Sequence, residues 1–331
     1  MDTNAIRNAK LMGARAAAEV HQKLGIRDKI KEGVEQVDIF YSINELDISI
    51  LCKPLEGLLG AYFSKPDKGI IVTTNRRLPI QRFTAAHELG HYWLKHEESL
   101  DTEKSIKLAR QGVTNIPLQE IEAEAFASEF LLPKLLIIKT AKKQGWNHVE
   151  LKKPNIVYQL SLRTGTSYDA TRLALLENNI IDINTARILR DIQPKITKNN
   201  ILGNERLENP WSDVFLVTSG ENGSTIQASP EDTIIIELPE HSNGGYLWSE
   251  IGSDEKLELT SDETIHVDEN NIGSINKRRL SLRGKSNTKA KIHIEERRPW
   301  EVNKYPLETF EININFEGKE EGLPRAARAC V

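Results

Sequence analysis

The sequence predicts two domains of different class, an α+β unit that is mainly helical with a small sheet, followed by an all-β sandwich. Three observations predict it. Up to about residue 192, apolar residues recur on a helical period in most segments, broken by three short runs of strand length. From about residue 211 the period falls to two. Between them, 193–210 reads as a polar linker built from Pro194, Lys195, Lys198, Asn199, Asn200, Gly203 and Asn204 and ending at Pro210.

Taken in order, residues 5–24 read as one long helix, and Ile48 to Cys52, Leu59 to Phe63 and Gly69 to Thr73 as short strands. Pro79 suits the first turn of a helix that runs to about Lys95. Its apolar positions fall on two stripes, one through Ile80, Thr84, His87, His91 and Leu94, the other through Phe83, Ala86, Gly90 and Trp93, so burial on more than one side is expected. Gly90 weakens this helix by roughly 1 kcal/mol against Ala, and the expected return is close approach of a neighbouring backbone. A further helix covers 119–133. Helical patterns return at Leu135 to Gln144, Pro154 to Thr164, Tyr168 to Leu176 and Asn184 to Leu189, with Gly145, Gly165 and Asn178-Asn179 as breaks. After the linker, Ala290, Ile292 and Ile294 alternate with Lys291, His293 and Glu295, and Phe310, Ile312, Ile314 and Phe316 with Glu311, Asn313 and Asn315. In the same pattern Trp248 reads as a buried strand residue. From residue 318 the chain is polar and then poor in β-formers, and a flexible tail is expected to residue 331.

The chemistry concentrates in His87-Glu88-Leu89-Gly90-His91. Positions i and i+4 share one face of a helix, so two imidazoles can reach one ion, with the Glu88 carboxylate beside them to act as general base on an attacking water. A catalytic zinc needs one more protein ligand and an open position. The helix at 119–133 supplies a candidate, because Glu120 and Glu124 lie on one face, and two carboxylates at that spacing are better placed near a cation than on an ordinary surface. Glu120 is assigned as the third metal ligand and Glu124 as an acceptor for the hydrogen of a metal-bound imidazole, around a single Zn2+. Glu122 and Glu129 fall on other faces and read as solvent residues. The longer H-E-x-x-H-x-x-G-x-x-H pattern fails, since Leu94 and Glu97 stand where it requires Gly and His. His96 then reads as a surface residue at the helix end. Tyr92, His148 and Tyr168 are all open as donors to an oxyanion.

Composition excludes several classes. With 331 residues, a hydrophobic fraction of 39% and a net charge of −4, the chain is globular and has no basic footprint for nucleic acid. Residues 166–180 could suggest a DNA-reading helix pair, but basic side chains there are sparse, Arg172 being the obvious one. No apolar run approaches the ~20 residues of a membrane span. The first helix, interrupted by Asn4, Arg7, Asn8, Lys10 and Arg15, lacks the continuous apolar core of a signal peptide. Cys52, a small core hydrophobe, and Cys330, an exposed thiol, make no disulfide framework, and a reducing cytoplasm is expected.

The run Arg82 to His91, followed by Glu120-x-x-Ala123-Glu124-x-Phe126-Ala127 and Leu131-Leu132-Pro133, resembles the ImmA/IrrE family of metallopeptidases over residues 5–190. Glu124 stands where that family has Asn or Asp. The resemblance implies a zincin-like fold and a zinc endopeptidase, and relatives relieve repression by cleaving a helix-turn-helix repressor. Such a repressor would be a separate chain, since residues 1–40 offer one long helix. Over 211–317, Asn243 to Trp248 and Arg297-Arg298-Pro299-Trp300-Glu301 resemble two loops of chagasin-type cysteine protease inhibitors, which implies an immunoglobulin-like sandwich. The family's N-P-T-T-G-Y loop is replaced by His241 to Tyr246, and its Gly-rich loop is reduced to Gly273-Ser274. The expected function is a zinc endopeptidase whose sandwich recognises or regulates, with Tyr246, Arg298 and Trp300 as partner-binding residues. The alternatives are a protease inhibitor with an ancillary peptidase half, whose partner would be another protease, and a binding scaffold with a dead metal site.

Overall fold

Small side chains set how the helices of the first half pack. The computed structural model describes residues 3–65, 67–97, 100–102, 117–250, 255–266, 275–301 and 304–328. In chain order the elements are α1 (Thr3–Lys23), α2 (Ile26–Glu32), α3 (Ile39–Glu45), β1 (Ser49–Lys53), β2 (Leu58–Phe63), β3 (Gly69–Thr73), α4 (Leu78–Leu94), β4 (Leu100–Thr102) and α5 (Leu118–Leu131). They continue with α6 (Lys134–Lys143), α7 (Pro154–Thr164), α8 (Tyr168–Glu177), α9 (Ile183–Asp191) and α10 (Pro194–Leu202). The strands β5 (Val214–Val217), β6 (Ser224–Ala228), β7 (Thr233–Glu240), β8 (Leu247–Trp248), β9 (Leu257–Ile265), β10 (Asn276–Gly284), β11 (Thr288–Arg297) and β12 (Glu308–Phe316) follow, then a single turn, α11 (Arg325–Arg328). Among the described residues no helix is long and apolar enough to cross a membrane.

Two compact units emerge. The first joins Met1–Ala141, Arg163–Arg190 and Lys319–Val331, the second Lys142–Leu162 and Asp191–Gly318. In the first, a sheet of order β1-β3-β2-β4 pairs β1 with β3 in parallel and its other neighbours antiparallel. Helices α1, α4 and α5 pack on one another. The buried face of α1 is Ala9, Gly13, Ala16, Ala17 and Val20, so α5 comes close enough that a Cβ on Gly13 would run into the Glu122 carbonyl. Gly90 repeats this on α4, where a Cβ would lie 3.1 Å from the Phe126 side chain and 3.2 Å from the Ala123 Cα, the backbone approach that was expected. Phe126, Phe130, Leu89 and Leu131 fill the space between.

α1 is the long helix read over residues 5–24, and two short helices that were not read from the sequence, α2 and α3, follow it. Gly25 and Gly33 bound α2 in the left-handed region, and the Asp38 carboxylate caps α3 by accepting the Tyr41 N–H at 3.0 Å.

Glu129, read from sequence as a solvent residue, is half-buried on α5. Burial pushes its carboxyl up to about 7, with Arg27 opposing and Glu177 adding to the rise. The raised value means its contribution is fully present below the unfolded pKa of 4.5 and is lost as pH rises through 7. Glu129→Gln is therefore expected to stabilise the protein by up to about 3 kcal/mol at pH 8 and to lose that advantage toward pH 4.5. His21, buried with its Nε2–H donating to the Phe130 carbonyl at 2.9 Å, is held down to about 4 by burial and titrates in the opposite sense. Urea unfolding of variant against parent at both pH values cancels the His21 contribution. Equal stabilities at pH 8 would contradict the assignment.

In the second unit, two four-stranded sheets of order β5-β7-β10-β9 and β6-β12-β11-β8 face each other. Alternate residues point inward as the period of two requires. Phe215, Ile234, Ile236, Leu280 and Leu282 come from one sheet, and Ile226, Ile292, Ile294, Phe310, Ile312 and Phe316 from the other. Trp248 is buried, its Nε1–H donating to the Pro239 carbonyl at 2.8 Å. Gln159 of α7 covers the free edge of β5, giving its amide N–H to Val214 O and accepting from Leu216 N, both at 2.8 Å.

Two expected boundaries change. The stretch read as a linker contains α10, whose Ile201 and Leu202 are buried and whose Lys198 donates to Ser212 O at 2.6 Å. Its polar composition hides a packed helix. The expected flexible tail is also tied down, at least to Arg328. Gly322 exchanges both backbone hydrogen bonds with Cys52 at 2.7 and 2.8 Å, and buried Glu320 meets Gln81, Arg325 and Arg328. Lys319 donates to Thr74 O at 2.9 Å. Cys52 is buried as expected, and burial pushes its thiol up to about 12. Cys330, Gly273 and Ser274 lie outside the described residues.

Candidate metal centre and sandwich loops

α4 is buried along most of its length, and His87, Glu88 and His91 are 2%, 1% and 0% exposed. Gly90 lets α5 lie against it, with Phe126 and Ala123 filling the contact, and this carries Glu120, in the first turn of α5, to the two imidazoles. The Nε2 atoms of His87 and His91 are 3.0 Å apart, and the Glu120 carboxylate oxygens lie 3.4 Å from the first and 3.7 Å from the second. Donors on a tetrahedral zinc are separated by about 3.3–3.4 Å when each bond is 2.0–2.1 Å. The three distances bracket that value, so His87, His91 and Glu120 could hold a metal ion, as the sequence spacing anticipated. Burial alone would raise the Glu120 carboxyl. The hydrogen bonds and charge of the two histidines outweigh it and hold the group well below the usual carboxylate range.

The floor of the site comes from β2, where no local pattern marks a contribution. The Tyr62 ring stacks on His91 at 5.9 Å and 8°. Gly60 lies under Glu88, where a Cβ would stand 2.9 Å from the Glu88 Oε1. The same Cβ would stand 2.6 Å from the Thr84 Cγ2 and 2.9 Å from the Ile71 carbonyl oxygen, so this close packing requires a residue without a side chain.

His96 and Glu122, both read as surface residues, belong to the site instead. Lys95 ends α4 at φ 58, a left-handed turn that folds His96 back onto the helix. The His96 Nδ1 then lies 3.0 Å from the His91 Nδ1, and its Nε2 lies 2.8 Å from the Glu122 carboxylate. The path from His91 leads to Glu122. Glu124, one turn beyond Glu120, is half-buried. Of the oxyanion candidates, Tyr168 gives its hydroxyl to Leu189 O at 3.1 Å, and burial raises it to about 12. His148 is exposed in the second unit, and Tyr92 is half-buried beside His91.

In the sandwich, Tyr246, Arg298 and Trp300 come together. The Arg298 guanidinium lies 4.6 Å from the Tyr246 ring centroid, and its Nε–H donates to Gly244 O at 2.9 Å. Trp300 is 68% exposed, with its ring edge against Gly245, which has φ 77. His241, on the same loop, gives its backbone N–H to the buried Glu296 at 2.6 Å and sets its Nδ1 3.0 Å from the same carboxylate. It shapes the loop from below.

Residues 43–175 match the family model of the IrrE N-terminal-like domain, and residues 227–314 that of the chagasin family peptidase inhibitors. None of the curated proteins matches this chain. Among solved structures, a cysteine protease inhibitor from Entamoeba histolytica is 24% identical with a TM-score of 0.30, the match covering 33% of this chain and 100% of that one. Amebosin is 25% identical with a TM-score of 0.28, covering 32% and 98%. A third, from a structure of PbICP-C in complex with falcipain-2, is 15% identical with a TM-score of 0.24, covering 35% and 96%. The chain therefore joins a metallopeptidase-like domain, from the IrrE N-terminal-like family, to an inhibitor-like domain of the chagasin family.

Proposed function

We propose that the first unit is a zinc-dependent endopeptidase that hydrolyses a peptide bond in a specific protein partner. The observation that carries this reading is the convergence of His87 Nε2, His91 Nε2 and the Glu120 carboxylate on one buried point, with Glu88 on the same helix. Those three side chains would hold the ion, with Glu124 assigned beside them as an acceptor for an imidazole hydrogen. A bound zinc supplies Lewis acidity and makes a water acidic enough to be used near neutral pH. Glu88 takes the proton at its carboxylate and returns it to the nitrogen of the leaving amine. Gly60 leaves room for that carboxylate, and the buried surroundings keep bulk water from competing. Water is the nucleophile, and no side chain is acylated.

The resemblance to repressor-cleaving relatives makes a helix-turn-helix repressor the favoured substrate, and the cytoplasm, where two cysteines stay reduced, the place of action. The sandwich is assigned to recognition or regulation. A second reading has support in the chagasin-family match and the joined Tyr246-Arg298-Trp300 surface, namely that the sandwich binds a cysteine protease. Titration of such a protease with the full chain decides it, since inhibition weakened by Trp300→Ala favours this reading and no inhibition removes it.

For the peptidase, metal analysis of the purified chain is expected to give one zinc per molecule, and His87→Ala to lose it. Labelling of new amino termini after incubation with host proteins should show cleavage by the parent alone. Zinc retained by His87→Ala, or identical cleavage by Glu88→Gln, would sink the proposal.

A further inference from the structure

We infer that His96 and Glu122 are positioning residues that fix His91 in the tautomer a metal ligand requires. The inference rests on the reading that His87, His91 and Glu120 hold zinc. To present a lone pair from Nε2, a neutral His91 must carry its hydrogen on Nδ1. That nitrogen lies 3.0 Å from the His96 Nδ1, which must then accept. His96 is left with its own hydrogen on Nε2, and this points at the Glu122 carboxylate 2.8 Å away. Every nitrogen in the chain has one role and the roles agree. In the opposite tautomer, a neutral His96 would donate from Nδ1 and turn a lone pair toward an ionised carboxylate, two acceptors at 2.8 Å. Glu122 therefore decides the tautomer of His91 from two side chains away.

The fold holds this relay firmly. The left-handed Lys95 turns the chain, the His96 N–H donates to the His91 carbonyl at 3.0 Å, and the Tyr62 hydroxyl donates to the His96 carbonyl. The side chains of His96 and Glu122 are 9% and 14% exposed, so water competes weakly for either bond. Glu122 in turn sits on α5 two residues beyond the ligand Glu120, so a single helix supplies both a metal ligand and the acceptor that orients another.

The test measures zinc affinity of the full chain by competition with a chromophoric chelator. His96→Ala and Glu122→Ala should each bind zinc about 10- to 100-fold more weakly than the parent. Glu122→Gln, which keeps a carbonyl acceptor for the His96 Nε2–H, should recover most of that loss. Long-range proton–nitrogen NMR of the zinc-loaded parent should place hydrogens on the His91 Nδ1 and the His96 Nε2. Should His96→Ala fail to fold, the two Glu122 variants and the parent spectrum still decide. Unchanged affinity in Glu122→Ala, or a His96 protonated on both nitrogens in the loaded parent, would overturn the relay. A parent that binds no zinc would overturn the metal reading itself, a separate outcome.

Discussion

Glu88→Gln is expected to lower peptide hydrolysis by roughly 10²–10⁴-fold, the usual contribution of a positioned general base, while leaving zinc content unchanged. Gln has the size of Glu and can still hydrogen-bond, but its amide cannot take up a proton, so the loss isolates the proton transfer from packing. The surroundings sharpen the expectation. Glu88 is 1% exposed and its Oε1 lies in the space left by Gly60, so solvent is poorly placed to substitute for it. Gly60→Ala should reproduce part of the defect by displacing the carboxylate. Cleavage rates per zinc-loaded molecule are the measurement, and a Glu88→Gln protein working at the parental rate would end the mechanism.

Removing residues 319–331 is expected to destabilise the first unit by about 3–5 kcal/mol, counting each lost hydrogen bond at about 1 kcal/mol. Gln81 carries the argument. It is fully buried on α4, donates to both Thr73 O and Glu320 O at 3.1 and 3.0 Å, and accepts the Glu320 N–H at 2.9 Å. Truncation strips two of those three bonds and the pair between Cys52 and Gly322. At roughly 2–4 °C per kcal/mol, Tm should fall by about 10 °C. Arg328→Ala, which trims only an exposed partner of Glu320 at 3.7 Å, should cost under about 1 kcal/mol. A truncated chain melting with the parent would show the segment to be dispensable.

What could be read from the sequence followed the regular periods. The spacing of His87 and His91 placed them on one helical face, and the acidic run singled out Glu120, because in both cases neighbours three or four apart meet on a helix. His96 escaped the same logic. It lies beyond the end of α4, where the left-handed Lys95 breaks the period and reverses the chain. Glu122 escaped because helical spacing assigns a residue to a face without saying which neighbour occupies it. Gly60 and Tyr62 reach the site through sheet packing, and no local pattern in β2 signals it. The sandwich was legible from alternation, whereas α10 was hidden because lysines and asparagines dominate a helix that buries only a few of its residues. The division into units involves contacts more than 200 residues apart, such as that of Gln81 with Glu320.

The return of residues 319–328 to the first unit also bears on synthesis. The ribosome releases α4 long before the segment that satisfies Gln81, and the whole sandwich must emerge in between. Until then the growing chain carries a buried amide with two of its bonds unmade, and a message cut short anywhere in the sandwich would leave it so for good. Nesting one domain inside the chain of another thus makes the synthesis of residues 319–328 a condition for the first half to settle.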